Sequence, residues 1–247
     1  MKIVNFLNCK IDVSKKIFQP RIETEFWVRK AIKEIEHALI RRSPNLCVSI
    51  LDMFAGSGCI GIAILKNIKN CRVDFVDIDE RAIAQTKINL EENKIQAERY
   101  RIIKSNLFEN LKSVRYDVIL ANPPYVAEER IAEVDEEVLR TEPWISFFAG
   151  KRGLFHIKKF FKEAKNHLKK GGVIYLEFDP KQKEEIESIF KKEGYFDFQF
   201  RKDQFKKYRW LVTPRPPLQT PSVSGGRFAH CFSTTGDSKI KIKYVKK

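Results

Sequence analysis

Between residues 47 and 192 the sequence alternates between short apolar runs and segments with helical periodicity, and this order constrains the fold more than any other feature. The apolar runs predict strands at Cys47–Asp52, Arg72–Asp77, Tyr100–Lys104, Tyr116–Ala121 and Val173–Phe178. The periodic segments predict helices at Cys59–Ile68, Glu80–Asn93, Leu154–Lys169 and Gln182–Lys192. Strands that alternate with helices form βαβ units, so we expect a largely parallel sheet with helices on both faces.

Two further runs complete the pattern. Phe196–Arg201 and Tyr208–Val212 lie too close together for a helical crossover, so they predict an antiparallel pair, and Gly171-Gly172 predicts a turn into the strand before them. Parallel strands followed by an antiparallel hairpin are the layout of class I methyltransferases, whereas dehydrogenase folds usually continue with a second βαβ half. We therefore expect a doubly wound, Rossmann-like α/β fold with a mostly parallel, seven-stranded sheet.

The two ends of the chain differ from this central region. Ile3–Leu7 and Ile11–Phe18 predict a short N-terminal β-hairpin, and Thr24 is the expected N-cap of the helix that follows. After Val212 the sequence becomes rich in Pro, Ser, Gly and Lys, which is typical of a basic linker or tail. We expect three parts: residues 1–22 as the hairpin and lead-in, 23–212 as the methyltransferase domain, and 213–247 as the tail.

The composition bounds the class of protein. No apolar stretch approaches the ~20 residues that span a bilayer, and Ile3–Leu7 is too short for a signal peptide, so we expect a cytoplasmic protein. The five cysteines and four histidines are dispersed, which predicts neither a disulfide framework nor a metal site. The net charge of +15 suits contact with RNA, ribosomes or an acidic protein face.

A glycine loop joins the first central strand to its helix. The pattern G-x-G-x-x-G is formed by Gly56, Gly58 and Gly61. Asp77 ends the next strand, where a carboxylate can bind ribose hydroxyls, and Asp52 is expected to orient the loop. Asp79 competes with Asp77 for the ribose, but it lies beyond the strand, where an acid in the first turn of a helix or a helix cap is the more ordinary role. The pattern predicts a nucleoside-containing ligand, but it does not separate a dinucleotide from S-adenosylmethionine, and glycines alone can also simply tighten a turn.

The segment Asn122-Pro123-Pro124-Tyr125 decides between these cofactors. It follows the strand Tyr116–Ala121, so it should face the same crevice as the glycine loop. The Asn122 side-chain oxygen and the Pro123 carbonyl can accept both hydrogens of an –NH₂ group, and Tyr125 can stack over a planar group. The two prolines stiffen the segment and remove N–H donors. An isolated Asn-Pro turn would be unremarkable; the location in the crevice favours a role in chemistry.

This arrangement suits methylation of an amide or amino nitrogen. Such a nitrogen is a poor nucleophile because its lone pair is delocalised. Accepting its two hydrogens shifts electron density toward the nitrogen and fixes an in-line approach to an electrophilic methyl. We therefore interpret Asn122, Pro123, Pro124 and Tyr125 as the catalytic segment of a metal-free, S-adenosylmethionine-dependent methyltransferase.

The sequence resembles the HemK/PrmC family of protein-glutamine methyltransferases, which modify peptide-chain release factors or ribosomal proteins. The resemblance runs from about Phe6 to Val212. Besides the glycine loop and Asn122–Tyr125, it includes Pro20-Arg21-Ile22-Glu23-Thr24-Glu25, Glu142-Pro143, Ala149-Gly150, Gly153-Leu154, Leu176-Glu177, and Lys202-Asp203 followed by Arg209. The resemblance implies a translation protein as the substrate, with Asn122 and Pro123 gripping a glutamine side-chain amide.

The resemblance also implies which residues contact S-adenosylmethionine. They are Phe54, Ala55, Gly56, Ser57, Gly58, Asp77, Asn106, Leu107 and Asn122, the last of which touches both cofactor and substrate. Three positions depart from the family pattern: Phe54 replaces a glycine, Asn106 stands where an acid is common, and Ile22 replaces a proline. The 247 residues begin at the hairpin that normally follows the family's N-terminal helical domain, so that domain's part in engaging release factors is expected to be missing from them.

Two other functions are compatible with the sequence. One is a nucleic-acid methyltransferase that acts on the exocyclic amino group of adenine, because an Asn-Pro-Pro-Tyr segment can hold the amino group of a flipped base in the same way. The basic net charge of the chain suits binding to a nucleic acid. A cofactor-retaining but inactive scaffold is the other alternative, against which the intact Asn122–Tyr125 segment argues. The Pro20–Glu25 element and the closing hairpin favour a protein substrate.

Overall fold

The computed structural model describes residues 2–42 and 46–213, so the tail beyond Thr213 lies outside the described residues. The strands are β1 Ile3–Phe6, β2 Cys9–Asp12, β3 Val48–Met53, β4 Cys71–Asp77, β5 Tyr100–Lys104, β6 Tyr116–Ala121, β7 Leu168–Glu177, β8 Gln199–Lys202 and β9 Tyr208–Val212. The helices are α1 Ile22–Arg42, α2 Cys59–Asn67, α3 Glu80–Glu92, α4 Glu136–Thr141, α5 Phe155–Ala164 and α6 Lys183–Lys192, with short 3₁₀ turns between them.

The central sheet has seven strands in the order β5-β4-β3-β6-β7-β9-β8. The pairs from β5 through to β7 are parallel, and β9 runs antiparallel to both β7 and β8. Strands β1 and β2 form a separate antiparallel hairpin. The predicted doubly wound α/β fold with a closing hairpin is therefore confirmed.

Two hydrophobic clusters cover the two faces of the sheet. Successive residues of β3 point to opposite faces, so Ile50 belongs to one cluster and Leu51 to the other. The first cluster also contains the hairpin and the apolar faces of α1, α2 and α3, whereas the second contains those of α5 and α6. Burial of large side chains such as Trp27 and Phe160 stabilises each layer by roughly 1.5–3 kcal/mol per side chain.

The N-terminal region differs from the sequence prediction in two respects. The second strand spans Cys9–Asp12, not 11–18, because Leu7 and Asn8 both have positive φ and form a two-residue turn that pairs Phe6 with Cys9. Thr24 was wrongly predicted as an N-cap. Helix α1 begins at Ile22, and the Thr24 side chain makes its hydrogen bond to a distant residue instead.

The region around α5 and β7 also differs. Helix α5 ends at Ala164, not at 169, and β7 begins at Leu168 because Leu168 pairs with Tyr116 of β6. The Gly171-Gly172 pair is not a turn but part of β7, at a register shift between the two strands. A Cβ at Gly172 would lie 3.1 Å from the Tyr116 carbonyl oxygen, which explains why a glycine fits there.

The remaining differences are small. Strand β8 begins at Gln199 rather than at 196, and the connection between β6 and α5 contains the short helix α4, for which the sequence predicted no helix. Among the described residues, no helix has both the length and the apolar character needed to cross a bilayer.

Candidate active site

The candidate site lies at the carboxyl edge of the parallel strands. Strands β3 and β6 are neighbours, and their last residues, Met53 and Ala121, are register partners. The glycine loop leaves the sheet after β3 in one direction and the Asn122–Tyr125 segment leaves after β6, with β4 on the far side of β3. This is the point at which the strand order reverses, where ligands of open α/β sheets bind.

A cavity of about 340 Å³ opens at this point. All but one of the residues predicted for the site line it. They are Phe54, Ala55, Gly56, Ser57, Asp77, Asn106, Leu107, Asn122, Pro123, Pro124 and Tyr125. The exception is Gly58, which has φ 76° and lies at the N-cap of α2.

Backbone hydrogen bonds hold the glycine loop in place. The buried Asp52 carboxylate accepts from the Gly61 N–H at 2.9 Å, which ties the loop to the first turn of α2 as expected. Asp77 accepts from Gly56 N–H through Oδ2 and from Asp79 N–H through Oδ1, both at 2.9 Å. Asp79 itself caps α3 by accepting from the Arg81 N–H, which confirms the prediction of a capping role.

Burial raises the pKa of both carboxyl groups that bond the glycine loop, Asp52 and Asp77. Removal from water raises the pKa of Asp52 to about 8, against the Gly61 hydrogen bond that favours the ionised form. The same effect raises the pKa of Asp77 above its usual range, opposed by the backbone N–H donors of Asp79 and Gly56. Each Asp77 oxygen accepts one of these bonds, so lone pairs remain on both for a ligand hydroxyl.

Phe54 stands where the family pattern has a glycine. Its φ of 63° is left-handed, a conformation that costs a non-glycine residue roughly 1–2 kcal/mol. The ring compensates by packing against Phe160, with ring centroids 6.3 Å apart, and edge-on against His156 at 6.0 Å. Phe54 therefore links the glycine loop to α5, and His156 becomes part of the cavity wall.

The far end of the cavity is formed by the segments after β4 and β5. Ile78 and Leu107 give it apolar walls, with Leu107 held at φ 53°. Asn106 also lines the cavity, but its side-chain nitrogen donates to Glu109 at 2.7 Å. Apolar walls next to the acceptor Asp77 suit an adenine ring attached to a ribose.

The Asn122–Tyr125 segment closes the other end of the cavity. The Asn122 side-chain nitrogen donates to the Thr24 hydroxyl at 3.4 Å. The Tyr125 hydroxyl donates to Glu177 at 3.2 Å, and the Tyr125 carbonyl accepts from the Gln182 side chain at 2.9 Å. Burial next to the Glu177 carboxylate raises the pKa of Tyr125 well above 10, so the phenol stays protonated as a donor.

Two walls of the cavity are formed by residues that the sequence did not assign to the site. One is the lead-in to α1, and the other is the region after α4. The first contributes Ile17, Phe18, Pro20, Arg21 and Thr24, and the second Pro143, Ile145, Ser146 and Phe147. Arg21 joins the walls by an ion pair of 2.7 Å with Glu142. The family-like elements at residues 20–25 and 142–143 were visible in the sequence, but only the fold places them here.

The residues of the cavity fit S-adenosylmethionine. A Cβ built on Gly56 would find no atom closer than 4.0 Å, so the glycine loop leaves open space on the cavity side. Asp77 offers acceptors where ribose hydroxyls are expected, and the apolar walls can hold an adenine ring. Among residues 2–42 and 46–213, no group of three or more His, Cys, Asp or Glu side chains is arranged to hold a metal ion.

Comparison with known proteins decides the family. Residues 34–144 match the family model "Methyltransferase small domain". The release factor glutamine methyltransferase of Streptococcus pneumoniae is 31% identical over 209 residues, covering 84% of this chain and 71% of that protein. This chain belongs to the release factor glutamine methyltransferase family. The resemblance to HemK/PrmC proteins is thereby confirmed, and S-adenosylmethionine is the cofactor of this methyltransferase domain.

Other known proteins are similar to this chain over part of their length or in fold alone. The "Bifunctional methyltransferase" of Rickettsia felis is 32% identical over 213 residues, covering 78% of this chain and 40% of that protein. The chain therefore spans less than half the length of the bifunctional relatives it matches. The crystal structure of a ribosomal protein L11 methylase from Lactobacillus delbrueckii subsp. bulgaricus has a TM-score of 0.56 over 83% of both chains, at 18% identity, and shows the shared fold alone.

Proposed function

We propose that this protein transfers a methyl group from S-adenosylmethionine to the side-chain amide nitrogen of a glutamine in a translation protein, either a release factor or a ribosomal protein. One observation carries the proposal: the glycine loop and the Asn122–Tyr125 segment line the same cavity, although they follow different strands. The family membership supports the glutamine amide as the acceptor. Proteins of translation would place the reaction in the cytoplasm.

Two sets of residues would hold the cofactor. The loop Phe54–Gly58 would surround the methionine part, with Gly56 giving the close approach, and Asp77 would accept the ribose hydroxyls. Asn106 and Leu107 would border the adenine. When bound, S-adenosylmethionine supplies a methyl group on a sulfonium, which needs no metal for activation.

The substrate amide would be held by acceptors alone. The Asn122 side-chain oxygen and the Pro123 carbonyl accept the two amide hydrogens, and neither Pro123 nor Pro124 has an N–H to compete. This draws electron density to the nitrogen and aims its lone pair along one line. As the new N–C bond forms, the bond between the methyl carbon and sulfur would break, its electron pair would stay on sulfur, and S-adenosylhomocysteine would leave. The nitrogen loses one proton to solvent, and the neutral N-methyl amide results.

The mouth of the cavity suits a protein loop. Trp144 is 53% exposed and Ile145 44% exposed, and Ile145 also lines the cavity. Exposed apolar side chains beside an active site are typical of a surface that binds another protein. The net charge of +15 adds attraction for a ribosome or RNA, which keeps an adenine amino group as the competing substrate.

Tritiated methyl transfer into a lysate containing ribosomes and release factors tests the proposal. Separate aliquots are treated with protease and with nuclease, and the labelled product is digested for mass spectrometry. We expect label that is lost to protease and retained after nuclease, on a peptide with an N-methylated glutamine. Label that is lost to nuclease but not to protease would show that a nucleic-acid base, and not a glutamine, accepts the methyl group. Absence of label with wild-type protein would contradict the methyltransferase activity.

A further inference from the structure

A buried carboxylate behind the acceptor segment has no direct part in the chemistry described so far. Glu177 ends β7 and is only 1% exposed. Its Oε2 accepts from the Thr24 hydroxyl at 2.7 Å and from the Trp27 indole N–H at 2.6 Å, while its Oε1 accepts from the Tyr125 hydroxyl at 3.2 Å. Burial raises the pKa of Glu177, and the hydrogen bonds from Thr24, Trp27 and Tyr125 oppose this shift. Because the Trp27 indole N–H can only donate, Oε2 is an acceptor, and the Thr24 hydroxyl directs its hydrogen to the same oxygen.

The direction of these bonds determines what the Thr24 hydroxyl can do next. A hydroxyl has one hydrogen, and Thr24 gives that hydrogen to Glu177. Toward the cavity the same oxygen can therefore act only as an acceptor. It accepts from the Asn122 side-chain nitrogen at 3.4 Å.

The Asn122 amide has two ends of opposite character. If its nitrogen donates to Thr24, its oxygen is free to accept from a ligand in the cavity. The flipped amide would place its oxygen against the Thr24 oxygen, two acceptors with no hydrogen between them, and would present a donor to the substrate –NH₂ group. The flipped amide therefore loses a hydrogen bond on one side and repels the substrate on the other.

We propose that Glu177 and Thr24 are positioning residues that set the orientation of the Asn122 amide, so that its oxygen faces the amide nitrogen to be methylated. This inference deepens the proposed function and rests on it. It also gives a role to two sequence elements that had none, because Thr24 belongs to the Pro20–Glu25 element and Glu177 to the Leu176-Glu177 match. The two residues are 153 positions apart and meet only in the folded chain.

Three variants test the positioning role through turnover. Thr24→Val keeps the shape of the side chain and removes the hydroxyl, whereas Thr24→Ser keeps the hydroxyl. Thr213→Val is the matched control, because Thr213 is also a buried threonine, whose hydroxyl accepts from the Ile174 N–H at 2.9 Å outside the cavity. Each variant is assayed for methyl transfer to a release factor and, by calorimetry, for cofactor affinity.

We expect Thr24→Val to lower kcat by about 10- to 100-fold through loss of the productive geometry, with cofactor affinity unchanged. Thr24→Ser and Thr213→Val should keep kcat near the wild-type value. A Thr24→Val enzyme with wild-type kcat, or a Thr24→Ser enzyme as slow as Thr24→Val, overturns the inference. A wild-type enzyme that methylates neither a release factor nor a ribosomal protein contradicts the proposed function instead.

A second readout does not depend on the substrate. In protein labelled with ¹⁵N at asparagine, the Asn122 side-chain NH₂ signals are assigned by their loss in Asn122→Asp. We expect Thr24→Val to shift the hydrogen-bonded proton of this pair upfield, with Thr213→Val leaving it in place. Unchanged Asn122 signals in Thr24→Val overturn the inference even if the substrate proves to be a different one.

Discussion

The two loops that meet at the cavity are stabilised in different ways. The glycine loop is held by groups from the neighbouring strands and from α3. Asp52 and Asp77 accept from its backbone N–H groups, and Thr86 and Asn89 donate to its carbonyl oxygens. The Asn122–Tyr125 segment has prolines in place of N–H donors and is held by side chains from far away, through Thr24 and Glu177. The hydrogen bonds of the first loop come from the adjacent elements β3, β4 and α3, with Phe54 also packing on α5, whereas those of the second loop come from α1 and β7.

This difference separates cofactor binding from methyl transfer. Changes near β3 and β4 should act on the affinity for S-adenosylmethionine, because they alter the loop that would hold it. Changes around β6, β7 and α1 should act on turnover, because they alter how the acceptor amide is gripped. Each prediction below tests whether the two loops respond independently.

Asn122→Ala should give the largest effect. The side-chain oxygen that accepts one amide hydrogen is lost, so kcat should fall by roughly 100- to 1000-fold, while cofactor affinity and fold are largely retained. Steady-state transfer and calorimetric titration of the cofactor measure the two quantities. Asn67→Ala, which removes an asparagine on α2, is the matched control. Wild-type turnover in Asn122→Ala would remove Asn122 from the chemistry.

Gly153→Ala should break the acceptor side by steric overlap. Gly153 has φ 67°, and a Cβ there would lie 2.0 Å from the Tyr125 carbonyl oxygen, so the Asn122–Tyr125 segment must move. We expect a loss of about 3 kcal/mol in the free energy of unfolding, together with reduced turnover.

Gly194→Ala is the control for this substitution, since Gly194 has φ 79° but its Cβ would find no atom nearer than 4.0 Å. Denaturant titration measures both variants. If Gly153→Ala is no less stable than Gly194→Ala, the overlap with Tyr125 has no energetic consequence.

The pH dependence of stability tests the carboxyl beneath the glycine loop. Burial raises the pKa of Asp52 to about 8 in the folded state, so between about pH 4 and pH 8 the unfolded chain loses this proton while the folded protein keeps it. The contribution of Asp52 to the free energy of unfolding is fully present below pH 4. It falls by up to about 1.4 kcal/mol per pH unit as the pH rises through that window. Asp52→Asn should flatten this slope in thermal unfolding, and identical slopes for both proteins would refute the raised pKa.

Asp77→Ala should weaken cofactor binding by about 1–3 kcal/mol through lost ribose hydrogen bonds. Turnover at saturating cofactor should change less, since the acceptor segment is untouched. Glu80→Ala is the control, because this neighbouring acid is exposed and pairs with Lys104 on the surface. Equal cofactor affinity of wild-type protein and Asp77→Ala in calorimetry would remove the ribose assignment.

The same difference explains what could be predicted from the sequence. The glycine loop, Asp77 and the Asp79 cap follow from short-range patterns, because their partners lie on the adjacent strand and helix. The ends of β2 and α5 were wrong because they depend on a tight turn at Leu7-Asn8 and on strand pairing of Leu168 with Tyr116. These are contacts that periodicity does not encode.

The role of Thr24 is the clearest case of a long-range determinant. Local propensity made this residue an N-cap, but its hydroxyl donates to Glu177, which lies 153 residues further along the chain. The cavity walls at residues 17–24 and 143–147 are likewise set by tertiary packing and the Arg21–Glu142 pair. Sequence patterns located the two loops together with Asp52 and Asp77 beneath the first, and only the fold located Thr24 and Glu177 behind the second.

A crystal structure with S-adenosylhomocysteine and a glutamine-containing peptide of a release factor tests the central claim most directly. We predict ribose hydroxyls within hydrogen-bonding distance of the Asp77 carboxylate, and the Asn122 side-chain oxygen within that distance of the glutamine amide nitrogen, on the side facing the sulfur. Binding of the cofactor product outside this cavity, or a glutamine amide held away from Asn122, would contradict the account.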